Sequence, residues 1–510
     1  MNKYILGCTV VIVNLLIVTG CKKSFLAVAP QGQITEEQAL IDPAAADNLV
    51  TGVYNTLYSQ GTVGLRWVIV NQIASDDADK GSLPGENGFG VGDIDNFTFT
   101  TSNENFNELW KAHYLAIGRA NKAIDVLAKT SFDTTVRNRL LGEVRFLRGM
   151  YYFNLVRLFG GVPNITQVIL PADANNTAYQ TRATKTEIYA IVTTDLQFAV
   201  DHLPLKGGAA TKVGRANKYV AEAYLAKVNL YLQNWQQAYA LSLDIINSGK
   251  YDLASNYATI FRESGANNIE SVFEVETGPG KGPTGTCDAI SPNFSNFQGP
   301  RANGAWSNNV DGKAYDGDLG FGINSPTEDL AAAYESADTR KAGTIITIDP
   351  VNNTVLWDGF VIPNQALVQN QRYNYKAYHS PFKETPACNG YLDKDNKPKN
   401  IRLMRFAEVL LINAEAALNT GGDAATPLNR VRARASLLPV AATQVNIWKE
   451  RRLELAMETD RFLDIVRQGT AGSIMRAQGK SFVDGKNELF PIPQAQIDLS
   501  GNRLKQNPNY

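Results

Sequence analysis

Glu450-Arg-Arg-Leu-Glu-Leu-Ala-Met-Glu-Thr-Asp-Arg-Phe-Leu-Asp-Ile-Val-Arg467 holds neither proline nor glycine and predicts one continuous helix. At 100° per residue, Ile447, Trp448, Leu455, Phe462, Ile465 and Val466 share one side, and Leu453, Ala456, Met457 and Leu463 the other. A helix apolar on two faces is buried between layers. Yet Glu450, Glu454 and Glu458 follow one another at i,i+4 spacing, where like charges repel and a dry core leaves them unsolvated. Arg451, Arg452 and Arg461 can answer part of that charge within the helix. The rest calls for a neighbouring helix that brings Arg402, Arg405, Arg430, Arg432 or Arg434. This pattern predicts a buried ion-pair network that fixes helix packing, with a catalytic acid pair as the alternative.

Working outward, 510 residues with 44% hydrophobic and 19% charged content describe a folded chain of one large core or two to three domains. The formal net charge of −1 and the lack of a basic run argue against a nucleic-acid partner. Three dispersed histidines and four cysteines without a CxxC pair offer no zinc site and no Cys/His nucleophile. No cofactor and no metal are expected, although Ser75-Asp-Asp-Ala-Asp79 and Asp393-Lys-Asp-Asn396 resemble calcium loops enough to weigh; both read better as solvated turns.

The N-terminus carries an address. Lys3 precedes an apolar run over residues 5–18, too short to span a bilayer, which ends Val18-Thr19-Gly20-Cys21. This looks like a bacterial lipoprotein signal, residues 1–20, cut before a lipid-bearing Cys21, with 21–34 as a tether. The remaining Cys287 and Cys388 could pair outside the cytoplasm or stay as two thiols.

Along the chain, Thr35-Glu-Glu-Gln38 reads as a helix start, 47–58 as helical and 59–105 as loops. Strong helical periodicity covers 106–129 and 136–159, the latter stopped by Gly160-Gly161-Val162-Pro163, then 186–202 and 215–248, broken at Gln233-Asn234. Residues 401–419 and 424–435 repeat the two-helix arrangement around Gly421-Gly422. The fold class is mainly α: a right-handed helical scaffold of about four tetratricopeptide-like hairpins, with a long, loop-rich, partly β insertion. The boundaries are a helical region 35–276, a loop-rich ligand-binding region 277–400 and a helical region 401–510 packing on the scaffold. Short strands are expected over 271–276, 344–348 and 354–362.

No nucleotide-binding glycine motif, P-loop or nucleophile elbow is present, and Gly88-Phe-Gly-Val-Gly92 lacks the strand–helix setting of a phosphate cradle. Catalytic residues are therefore not assigned. What stands out is aromatic rings on glycine-rich loops with Asn, Asp and Arg nearby. A sugar's C–H face stacks on such rings while amides, carboxylates and guanidinium groups bond its hydroxyls. The candidate ligand-binding residues are Trp306, Trp357, Tyr373, Tyr375 and Tyr378, with Trp67 as an outlying sixth. The alternative is that these rings pin loops to the scaffold.

A wider set of motifs carries a resemblance. Cys21 is followed by Leu109-Trp110 with Tyr114, Arg119-Ala-Asn121, and Arg145-Phe-Leu-Arg148 leading to Leu158-Phe-Gly-Gly-Val-Pro163. Then come Arg402-Leu-Met-Arg-Phe-Ala-Glu408, Asn429-Arg-Val-Arg432, the 450–467 stretch, Leu489-Phe-Pro-Ile-Pro493 and Gln506-Asn-Pro-Asn-Tyr510. Over nearly its whole length the chain resembles the SusD/RagB family of Bacteroidota outer-membrane nutrient-binding lipoproteins. The resemblance implies a non-enzymatic cell-surface binder, usually of an oligosaccharide, tethered by lipid to the outer membrane. Its partner would be a SusC-type TonB-dependent barrel over whose mouth it sits as a lid. Binding of a peptide or another nutrient, a purely structural lid and a surface glycoside hydrolase are the competing functions. Three departures stand out: Thr459 and Asn509 occupy positions where the family pattern has glycine, and the basic Lys22-Lys23 follows Cys21 where surface export in this phylum is associated with acidic residues.

Overall fold

Thr35 begins the described chain as a helix cap: its hydroxyl accepts from the Gln38 amide while the Gln38 side chain reaches back. The computed structural model describes residues 35–510 apart from 84, 87, 174, 278, 282–286, 290–293, 303–306 and 385–398. The leader, the tether, Cys21, Trp306, the Cys287–Cys388 pairing and the 393–396 turn therefore lie, wholly or through one partner, outside the described residues.

The scaffold consists of α1 (Glu36–Ile41), α2 (Pro43–Tyr54), α3 (Glu104–Ala128), α4 (Thr134–Phe159), α5 (Lys185–His202), α6 (Lys218–Tyr231), α7 (Trp235–Asn247), α8 (Phe406–Thr420), α9 (Ala425–Arg434), α10 (Gln444–Leu455) and α11 (Arg461–Arg467). The helices pack as successive neighbours: α3 on α4, α4 on α5, α5 on α6, α6 on α7, α7 on α8, α8 on α9 and α10. The chain is mainly α, and the hairpin breaks fall where turn chemistry puts them. Gln233, between α6 and α7, takes φ 57°, and Gly160 ends α4 at φ 74°. Inside the main core, Phe146 meets both Tyr224 and Phe273 edge-on at 5.2 Å.

The strands that matter below are β1 (Ala78–Gly81), β2 (Ser271–Val275), β3 (Ile323–Pro326), β4 (Ile345–Thr347), β5 (Arg372–Asn374) and β6 (Ile401–Arg405). All pair antiparallel in two-stranded ladders: β1 with β3, β2 with β6 and β4 with β5. Residues 401–405, expected as the start of a helix, are thus strand. They pair with β2, Ile401 opposite Val275 and Arg405 opposite Ser271. The 59–105 segment also departs from expectation, because Leu65–Val68 and Ile69–Ile73 are helical turns buried along their length.

The 450–467 stretch is two helices, not one. Ala456 is extended, and Met457 and Thr459 take φ 64° and 77° before α11 begins. Helix propensity is worth tenths of a kcal/mol per residue, and here it yields to stronger interactions between buried charges. The Glu450 carboxylate accepts from Arg340 at 2.6 Å and Arg432 at 3.0 Å. Glu454 accepts from Arg434 at 2.5 Å, Arg405 at 2.8 Å and Arg340 at 3.0 Å. The break turns Glu458 toward Arg405 and Lys376, each at 2.6 Å. Against burial, which pushes its carboxyl up, Arg434, Arg405 and Arg340 hold Glu454 well below the carboxylate range.

Three expectations about this network change. Arg451, Arg452 and Arg461 do not serve the glutamates of their own stretch. Arg451 binds Asp464 and Glu408, Arg452 binds Asp77 and Asp329, and Arg461 chelates Asp76 through two 2.8 Å bonds. Arg402 and Arg430 pair elsewhere, with Glu274 and Asp252. Their places are taken by Arg340 and Lys376 from the loop-rich region. Finally, the Ser75–Asp79 turn is neither solvated nor a calcium loop at its centre: Asp76 and Asp77 are buried under the two arginines.

Candidate functional site

The six aromatic candidates fall into different environments. Trp67 is buried, its ring 6.0 Å from that of His113. Tyr373 and Tyr378 are each 1% exposed. The Tyr373 hydroxyl donates to the Arg301 carbonyl at 2.8 Å, and that of Tyr378 to the Asp358 carboxylate at 2.6 Å. Both rings belong to a secondary core with Tyr315, Ile348 and Phe360. Tyr373 and Tyr378 pin loops, Trp67 packs within the Leu65–Val68 helical turn, and all three are buried.

Trp357 and Tyr375 differ. Trp357 is 48% exposed, and Tyr375 is half-buried. They share the Arg262 guanidinium, 5.6 Å from the Trp357 ring and 4.5 Å from that of Tyr375. Arg262 itself is held below the surface by the Tyr375 carbonyl at 2.6 Å and by Glu384 at 3.6 Å. Glu384 accepts from the Ser380 and Glu263 amides at 2.7 Å each. Although burial pushes it up, Lys399 and Arg262 pull its carboxyl down to about 2. The result is a rigid seat under one exposed indole.

A second patch was not foreseen. Here β1 runs out at Gly81, and Ser82 and Glu86 beyond it meet Arg301 and Asn370. Arg301 forks onto the Glu86 carboxylate at 2.7 and 3.1 Å and donates to the Ser82 hydroxyl at 2.7 Å. The same hydroxyl donates to Glu86 at 2.8 Å. The hydrogen bonds from Arg301 and Ser82 hold the Glu86 carboxyl down to about 2. Asn370 accepts from the Ser82 amide at 2.8 Å and donates to the Gly322 carbonyl at 2.6 Å. Beside Gly322, Phe321 is 39% exposed and lies 5.8 Å from Phe297. A partly exposed ring, one residue along from Gly322, thus shares this patch with a carboxylate–guanidinium pair whose side chains are 45% and 21% exposed.

Arg301 and Glu86 are 215 residues apart in the chain, so no local spacing announces their pairing. Phe297 and Phe321 lie in the aromatic-rich 277–400 region, but nothing in the sequence separates them from the rings that turn inward. Among the described residues, no three His, Cys, Asp or Glu side chains gather as a metal site would require, and no helix is long and apolar enough to cross a membrane.

The fold is a mainly helical hairpin scaffold that carries partly exposed rings and fixed charge pairs on its loops, and comparison with known proteins narrows the class. A family model described as "Starch-binding associating with outer membrane" matches residues 25–230, and the SusD family model matches residues 309–510. The chain belongs to the SusD/RagB family. It is 26% identical over 527 aligned positions to the SusD-like protein P2 of Formosa agariphila, covering 98% of each chain. A SusD-like protein of Bacteroides ovatus is 24% identical over 90% of this chain and 81% of that one. Among solved structures, a laminarin binding SusD-like protein superposes with TM-score 0.76 at 26% identity, covering 92% of this chain and 99% of that one. Surface glycan-binding protein A from Bacteroides thetaiotaomicron, in complex with laminarihexaose, has the same fold, with TM-score 0.75 at 23% identity over 92% and 100% of the chains.

Proposed function

We propose that the protein is a non-enzymatic glycan-binding lipoprotein of the cell surface, anchored through Cys21, which captures an oligosaccharide and delivers it to a SusC-type TonB-dependent barrel. The helical regions 35–276 and 401–510 form the body, and the 277–400 region supplies the loops that carry both rings, with Ser82, Glu86 and Arg262 contributed by the first region. The observation that carries this reading is the pairing of an exposed ring with ordered polar groups at both patches: Trp357 over Arg262, and Phe321 beside Arg301–Glu86. Stacking takes the apolar face of a pyranose, and the charged pair bonds its hydroxyls without having to be ordered first. Likeness to a laminarin binding protein makes a β-glucan the first ligand to try.

The test is calorimetry of the mature chain against laminarin, laminarihexaose and a panel of other polysaccharides and peptides, with product analysis. Saturable glycan binding without new reducing ends supports the proposal. Reducing-end release that a single carboxylate substitution abolishes would make the protein a glycosidase. Binding of peptides alone would move it to another nutrient, and an intact barrel complex that binds nothing would make it a structural lid. For the anchor, a labelled fatty acid should enter the wild-type chain and not Cys21→Ser.

A further inference from the structure

Lys80 lies in β1, with Gly81 the last residue of the strand, and its side chain is half-buried beneath the loop that follows. Its Nζ is 3.0 Å from the Gly81 carbonyl oxygen, 2.8 Å from that of Leu83 and 2.8 Å from that of Glu86. An ammonium group has three N–H donors and no acceptor; here all three point at backbone oxygens of one turn. The turn's side chains are tied as well, by Asn370 on the Ser82 amide and by Arg301 on Ser82 and Glu86, but those bonds leave the Gly81, Leu83 and Glu86 carbonyls to Lys80. The Glu86 amide donates to the Leu83 carbonyl at 3.0 Å, and Gly81 and Ser82 are both left-handed, at φ 69° and 59°. Left-handed backbone is unfavourable for a serine. The base of the turn is anchored, because the Lys80 amide donates to Asp95 at 2.7 Å, whose other oxygen accepts from Lys480 at 2.7 Å.

We propose that Lys80 is a tethered cation, filling a ring of loop carbonyls as a bound metal ion fills one elsewhere. By bonding the Gly81, Leu83 and Glu86 carbonyls it holds Ser82 and Glu86 in place against Arg301. Lys80 is therefore a positioning residue of the Phe321–Arg301 patch, acting on ligand through Glu86. The loop-ordering role stands on the geometry alone; the ligand role rests on the glycan-binding reading.

The deciding variant is Lys80→Met, which keeps the stem and removes the donors; Lys80→Gln replaces it if Lys80→Met does not fold. Hydrogen exchange on the ligand-free chain should speed up by about tenfold or more in peptides covering 80–90, with the 104–128 helix unchanged. Affinity for laminarihexaose should fall by about tenfold, and Lys80→Met combined with Glu86→Ala should be no weaker than Glu86→Ala alone. A merely structural lysine would not produce that non-additivity. Unchanged exchange overturns the proposal whatever the ligand. Faster exchange with wild-type affinity, while Arg301→Ala loses binding, overturns the positioning role. A wild-type chain that ignores laminarihexaose and every other glycan overturns the functional reading, and exchange still decides the loop.

Discussion

Glu454→Gln tests whether the buried ion pairs fix the packing of α10. The glutamine is nearly isosteric, so no cavity opens, but one negative charge leaves a site where Arg434, Arg405 and Arg340 converge within 3.0 Å. Each guanidinium keeps another carboxylate: Arg340 has Asp338 and Glu450, Arg405 has Glu270 and Glu458, and Arg434 has Glu270. The loss is therefore that of one broken buried pair, about 3–5 kcal/mol, and not three. With an unfolding entropy of about 2 cal/mol/K per residue, a chain of this size changes by about 1 kcal/mol/K, so Tm should fall by about 3–5 °C. The sign with pH follows from the depressed carboxyl. Its contribution is fully present above its ordinary value of 4.5 and is lost as pH falls toward its folded value. Calorimetric melting should show a constant gap from wild type at neutral pH that closes only in acid. Arg430→Ala, which breaks the exposed pair with Asp252, is the control and should cost less than about 1 kcal/mol. A Glu454→Gln shift no larger than that control would refute the reasoning.

Other outcomes follow from single features. Thr459 holds φ 77° where the family pattern has glycine, so Thr459→Gly should stabilise by about 0.5–1 kcal/mol in urea unfolding, the relief of left-handed strain less the extra chain entropy. Glu222 is buried, 3.2 Å from Lys218, and burial raises its carboxyl to about 7. A raised carboxyl contributes stability below its ordinary pKa and loses it as pH rises through the folded value; Glu222→Gln should therefore gain Tm relative to wild type at pH 8 and show no such gain at pH 4, by scanning calorimetry. Trp357→Ala and Phe321→Ala should each weaken glycan binding by about tenfold in calorimetry with Tm within a degree or two, since both rings are largely outside the core. Unchanged affinity in both would move the site to another surface.

Helix positions were legible because they are local. Asn103, Asp133 and Thr184 cap α3, α4 and α5 with their own side chains, and Gly160 and Gln233 mark ends through backbone conformation. The triplet of glutamates could likewise be read as a buried network, since charge at helical spacing between apolar faces has few alternatives. Which arginines answered it could not. Arg340 and Arg452 choose partners by tertiary proximity, and a guanidinium reaches any carboxylate the fold brings near.

The same division holds at the candidate site. By itself the sequence determined the family, the helical scaffold, the loop-rich insertion and its wealth of aromatic rings, because periodicity, caps and motif residues act over a few positions. Only the tertiary structure decided which rings face out. Tyr373 and Tyr378 look no different in sequence from Tyr375, yet the first two are buried in a secondary core and the third packs half-buried at its edge, beside the Arg262 guanidinium. It also decided the break at Ala456–Asp460, where ion pairs with four other segments outweigh a helical preference worth tenths of a kcal/mol per residue. Burial and pairing across the chain are sums over distant contacts, and no local pattern encodes them.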